Sequence, residues 1–167
     1  MRHNHLIIVL AIAVWSTHTA RADSPLPPPS AHAVSSSNSV FIAVSSPQDG
    51  TKILNKATKQ KLWQMSGWFR WLFVSNDGIH VVTGYDGMNL IPTDYTDDLV
   101  LFTFWGKGRR IRSVTLKEVV PRKSILTRTV SHYHWGSIEG INDKGLLVVV
   151  RADGKKLYFD VKTGLQQ

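Results

Sequence analysis

From Val40 onward the chain runs in short apolar stretches separated by polar turns. Val40–Val44 is apolar and is followed by the turn cluster SSPQDG over Ser45–Gly50. Trp71–Val74 is aromatic and β-branched, Asn76-Asp77-Gly78 interrupts it, and Ile79–Thr83 resumes at once. An Asp-Gly pair between two such runs is a strong short-range hairpin signal. Leu99–Trp105 (LVLFTFW) closes at Gly106-Lys107-Gly108, and Ile111–Leu116 alternates. Asn142–Gly145 turns the chain into Leu146–Val150, and Ala152-Asp153-Gly154 turns it again into Leu157–Val161. Short strands punctuated by Gly, Asn and Asp predict an antiparallel all-β domain. No long window carries a clean helical period. Lys117–Lys123 has room for one helical turn, which Pro121 would end.

The N-terminus follows another pattern. Met1–His5 carry Arg2 and two His, Leu6–Trp15 form ten residues without a charge, and Ser16–Ala22 end in Ala20-Arg21-Ala22. This is the layout of a secretory signal peptide with cleavage after Ala22. Ten helical residues would span only about 15 Å, half of a bilayer core, which argues against an anchor. The mature chain is therefore expected to have no transmembrane segment and to be secreted or periplasmic. Removing 22 of the 167 residues leaves 145. Asp23–Ser39 (DSPLPPPSAHAVSSSNS) has little to bury and reads as a Pro/Ser-rich disordered linker. Residues 40–167 would then form the β-domain.

Charge and cysteine content change the picture next. The chain has 20 Lys+Arg against 12 Asp+Glu, a formal charge of +8, and losing Arg2 and Arg21 with the leader lowers it to +6. Zero Cys removes disulfides, thiolate metal sites and a Cys nucleophile, although the expected compartment permits disulfides. Stability must come from strand pairing and Trp-rich packing.

Two stretches repeat. Ile53–Trp63 (ILNKATKQKLW) and Tyr158–Gln167 (YFDVKTGLQQ) align on Asn55 and Asp160, so that Thr58 meets Thr163 and Lys59 meets Gly164. Phe104–Ile111 (FWGKGRRI) is a looser third copy. Trp71–Val82 and Ile141–Val150 each read as strand, Asn-Asp turn, strand. These stretches resemble the blade-closing segment of quinoprotein-type (PQQ-like) β-propeller repeats, where an apolar strand leads into Asp-x-x-Thr-Gly and a docking Trp. The VSNDG turn is similar to the Ser-Pro-Asp-Gly turn of propeller blades, WD-like ones included. The resemblance implies a meander of two to three blade-like sheets. Asn55 stands for the family's Asp, Lys59 stands for its Gly, and no Trp follows the second copy. At about 40–50 residues per blade, the β-domain is too short for a closed propeller. An open stack, an oligomer that completes a ring and a single twisted sheet all remain open. The family's quinone chemistry sits in a complete channel, so no cofactor is expected.

Several constellations invite a chemical reading. His132 and His134, two apart in a strand, share a face and could grip one metal, with His80 as a third ligand. An aromatic-rich strand would also account for them. Asp94–Asp98 offers oxygens for calcium but lacks the spacing of the known calcium loop, and Pro92 favours a plain loop. Phe69, Trp71 and Phe73 share one face by alternation, with Trp68 close by. They build either a core or a stacking platform for sugar or peptide. Lys107, Arg109, Arg110 and Arg112 form a compact basic turn, which Arg122, Lys123 and Arg128 could extend. In an exported protein that turn suits an anionic envelope polymer or an acidic protein rather than nucleic acid. Neither a nucleophile elbow nor a phosphate loop is present. The sequence thus points to an exported, non-catalytic β-domain binding another macromolecule. The alternative is a small metal-binding protein or metal-dependent enzyme using His132 and His134.

Overall fold

The computed structural model describes residues 25–167. The expected signal peptide, with its cleavage point after Ala22, lies outside the described residues. The strands are β1 (His32–Ser35), β2 (Phe41–Ser46), β3 (Gly50–Asn55) and β4 (Lys61–Met65), then β5 (Leu72–Val74), β6 (His80–Gly84), β7 (Leu90–Pro92), β8 (Val100–Gly106) and β9 (Arg109–Thr115). A one-turn helix α1 (Leu116–Val119) stops before Pro121, and a 3-10 turn covers Lys123–Ile125. The chain ends with β10 (Thr127–Arg128), β11 (His132–His134), β12 (Gly136–Ile141), β13 (Leu146–Arg151) and β14 (Lys156–Asp160). The protein is all-β and every strand pairing is antiparallel.

Three meanders dominate. The first sheet runs β1-β2-β3-β4, the second β5-β6-β8-β9 and the third β12-β13-β14. A small fourth sheet, β10-β11-β7, joins the excursion between β6 and β8 to the connection that follows β9. The second sheet lies between the first and the third. On β5, Leu72 and Val74 pack with Ala43, Ile53 and Met65 of the first sheet. Trp71 and Phe73 turn the other way, into the core that holds Leu147, Val149 and Phe159 of the third. β6 repeats this division, with Val81 on one side and Val82 on the other. A strand buried on both faces must be apolar throughout, which is why the sequence is most hydrophobic here.

The outer sheets are covered on one face only. In the first, Ala43 pairs with Ile53 on the inner face, while Ile42, Leu54 and Val44 lie on the other. Leu62, beside Trp63, is the unpaired residue where β4 shifts register against β3, and it is 44% exposed. In the third, Leu147 pairs with Phe159 and Val149 with Leu157 inside. Leu146, Val148, Val150 and Tyr158 point outward, and Tyr158 is 38% exposed.

Two expectations need correction. The spacer does not extend to residue 39, because His32–Ser35 already pairs with β2 as an edge strand. Its alternating half-buried pattern was masked by a Ser-rich surround. Phe69 does not share a face with Trp71 and Phe73. The chain bends at Gly67 (φ 95°) and β5 begins only at Leu72, so alternation does not reach back to residue 69. Phe69 packs toward the first sheet, with its ring 6.2 Å from that of Trp105.

Candidate functional site

The repeated turns can be compared bond by bond. Asn55 Oδ1 accepts the backbone N–H groups of Ala57 (3.1 Å) and Thr58 (3.0 Å), and Thr58 Oγ1 accepts that of Gln60 (3.3 Å). Asp160 Oδ1 accepts those of Lys162 (2.7 Å) and Thr163 (3.1 Å), and Thr163 Oγ1 accepts that of Leu165 (3.2 Å). Lys59 (φ 62°) and Gly164 (φ 70°) hold the same left-handed position. The turn at Lys107 (φ 47°) and Gly108 (φ 80°) has two consecutive left-handed residues. That makes it a tight hairpin of another kind. Trp63 donates from Nε1 to the Gly78 carbonyl at 2.7 Å, tying the first sheet to the second.

The first hairpins of the three large sheets meet at their tips. Ser37 Oγ lies 3.0 Å from both Asn76 Oδ1 and Asp143 Oδ1. The Asn38 N–H donates to Asn76 Oδ1 at 2.9 Å. Next to this junction a cleft of about 310 Å³ is lined by Val34 and Ser35 of β1, Phe73 and Val74 of β5, and Glu139 and Ile141 of β12. The tip of the second sheet is fixed by Asp77, whose Oδ1 accepts the N–H groups of Ile79 (2.8 Å) and His80 (3.1 Å) and the Ser75 hydroxyl. Its Oδ2 lies 2.6 Å from His80 Nδ1. Burial pushes the Asp77 carboxyl up, but the hydrogen bonds from Ser75, Ile79 and His80 outweigh it and bring the pKa to about 2.

The three histidines are not gathered. His80 sits in β6 opposite Gly106, held by Asp77. His132 and His134 sit in β11 of the small sheet, opposite Pro92 and Leu90. Among the described residues no three His, Asp or Glu side chains group closely enough to hold a metal ion. The expected third ligand is therefore not supplied by His80, because a hairpin turn claims its ring. In the acidic stretch, Asp97 pairs with Lys117 at 2.9 Å and Asp98 accepts the Thr96 hydroxyl.

No family model matches the chain, and no curated protein matches it.

The basic turn divides into two kinds of residue. Lys107, Arg109 and Arg110 are exposed at the β8–β9 hairpin. Arg112 is committed to structure: Nη1 donates to the Gly164 carbonyl at 2.7 Å and Nη2 pairs with Glu118. Lys123 and Arg128 both lie over the Tyr133 ring, 5.2 and 5.0 Å from its centre. They belong to the small sheet and its approach rather than to the hairpin.

Trp71 is core rather than a stacking platform. Its ring is 6.1 Å from those of Phe73 and the fully buried Trp135. It also covers Gly84, where a Cβ would come within 3.0 Å of Trp71 Cβ. Trp68 does face outward, and it meets the N-terminal segment together with Arg70. Arg70 escaped notice in the sequence because its partners lie far from it along the chain. A cleft of about 440 Å³ opens nearby, between Pro25, Leu26, Tyr85, Leu90, Pro92 and His132. Burial and the neighbouring Asp86 carboxylate push the Tyr85 phenol above its usual pKa.

Proposed function

We propose that the protein is an exported, non-catalytic β-domain that binds another protein through the uncovered faces of its outer sheets. The observation that carries this reading is the asymmetry of the stack. The middle sheet is covered on both faces, whereas the first and third present Ile42, Val44, Leu54 and Leu62, and Leu146, Val148, Val150 and Tyr158. In a stack of blade-like sheets those are the faces that a further layer covers. Lys52, Gln64, Asp160 and Lys156 border these apolar side chains, and an apolar patch rimmed by polar residues is the make-up of an interaction site. The turn chemistry at Asn55 and Asp160, with Trp63 docked onto the next sheet, supports reading the first and third meanders as blade-like units. Export rests on the three-part N-terminus and predicts a mature chain beginning at Asp23, which intact mass would report.

The test is affinity capture from an envelope extract with the mature chain and with Leu62→Glu and Val148→Glu variants. A partner recovered by the wild type and lost with either folded variant supports the reading. A partner retained by both, or a hydrolytic activity abolished by a single substitution, contradicts it. A second reading, binding of an anionic envelope polymer, is favoured by the exposed Lys107, Arg109 and Arg110 at one hairpin. It predicts capture that salt weakens steeply and that Arg109→Glu abolishes.

A further inference from the structure

The Pro-rich segment expected to be a spacer is instead held at two points. Trp68 Nε1 donates to the Ser30 carbonyl at 2.7 Å, and Arg70 Nη1 donates to the Pro27 carbonyl at 2.7 Å. The two carbonyls are three residues apart, which is one turn of a polyproline II helix, so both point to the same side. A backbone without internal hydrogen bonds leaves its carbonyls open to donors of this kind. The donors are fixed beforehand. The Arg70 guanidinium lies 4.9 Å from the centre of the Trp68 ring, and its Nε is paired with Asp86 at 3.1 Å. The His32 ring meets Trp68 edge-on at 5.9 Å.

We propose that Trp68 and Arg70 form a clamp for extended, proline-rich peptide. Pro27–Ser30 of this chain is its resident ligand, and a proline-rich segment of a partner protein takes the same place. The proposal goes beyond the binding reading above and concerns a surface apart from the outer sheet faces. An aromatic N–H donor with a rigid neighbour is the chemistry by which polyproline helices are recognised, because the peptide loses little entropy on docking. The resident ligand is replaceable. Both clamp bonds lie at the surface, where a competing peptide can reach the donors. The clamp also has a second subsite. Pro25 and Leu26 run along the rim of the 440 Å³ cleft, and Leu26 remains 45% exposed. Tyr85, Leu90, Pro92 and His132 leave room there for a larger apolar side chain. The favoured ligand is therefore a proline run preceded by a bulky aromatic residue.

The experiment is a titration of the mature full-length chain with a fluorescent peptide of the sequence DSPLPPPSA, followed by anisotropy. The resident segment competes at the high effective concentration of a short tether. A Pro27→Gly/Pro28→Gly/Pro29→Gly chain should therefore bind the peptide about tenfold more tightly than the wild type. Adding Trp68→Phe, which keeps a ring but loses the donor, should weaken that binding about fivefold, and adding Arg70→Met should do the same. A peptide with Trp in place of its Leu should bind more tightly than the parent. Melting curves verify that each variant is folded. The proposal is overturned if the triple-glycine chain binds no tighter than the wild type, if Trp68→Phe leaves binding unchanged, or if a Gly/Ser peptide of equal length binds equally well. Such a failure would leave capture through the outer sheet faces untouched, so the two readings fail separately.

Discussion

Asp77 and His80 close the β5–β6 turn, with the carboxylate Oδ2 2.6 Å from the imidazole Nδ1. The native Asp77 pKa of about 2 lies below its ordinary 3.8. A depressed carboxylate pKa contributes stability that is complete above the unfolded value and lost as pH falls through the folded one. Thermal midpoints should therefore fall steeply between about pH 4 and pH 2 in the wild type, and less steeply in Asp77→Asn. Parallel pH profiles for the two proteins would show that the turn does not depend on the charge.

The two Asx-type turns predict opposite responses to substitution. Lys59 holds a left-handed conformation that glycine adopts without steric cost, so Lys59→Gly should stabilise the protein by about 1 kcal/mol. Gly164 has the same conformation but no space. A Cβ there would lie 2.8 Å from Arg112 Cβ and 2.9 Å from Phe104 Cδ2. Gly164→Ala should destabilise by about 2 kcal/mol or more. Urea titration of both variants decides this, and shifts of the same sign would contradict it.

Within the basic turn, Arg112 should matter for stability and its neighbours should not. Arg112→Ala removes the bonds to Gly164 and Glu118 and should cost about 2 kcal/mol. Arg109→Ala and Arg110→Ala, on the exposed hairpin, should stay within about 0.5 kcal/mol of wild type. Equal losses at all three positions would mean that the hairpin is structural throughout.

Metal should not bind stoichiometrically. Protein purified without a His tag and incubated with zinc, copper or nickel should show a metal content near zero after desalting. A ratio near one that is lost in His132→Ala would revive the metal-site alternative.

The sequence revealed those strands that carry their own pattern. β5, β6, β8, β9, β13 and β14 lie where apolar runs and Gly/Asn/Asp turns placed them, within a residue or two. β1 was hidden among serines, and β4 (KLWQM) mixes Lys and Gln with its apolar residues and carries a register shift, so no clean alternation marks it. β7, β10 and β11 owe their existence to a distant pairing, Ile91 opposite Tyr133, which no local pattern encodes. The same reason conceals the clamp. Trp68 drew attention as an aromatic, but its ligand at Ser30 lies far back along the chain, in a stretch whose composition suggested disorder. His80 shows the opposite failure. Residue type alone suggested a metal ligand, and the nearby Asp77 gave the ring another partner.

The central claim is that the uncovered faces of the outer sheets are binding surfaces. Site-specific photo-crosslinking in living cells tests it most directly. A photoreactive residue would be placed at Leu62 in the first sheet, at Tyr158 in the third, and at the exposed Lys117 as a control. The account predicts a discrete adduct with another protein from position 62 or 158, and none from 117. Equal labelling from all three positions, or no adduct from either sheet face in cells that export the folded protein, would contradict it.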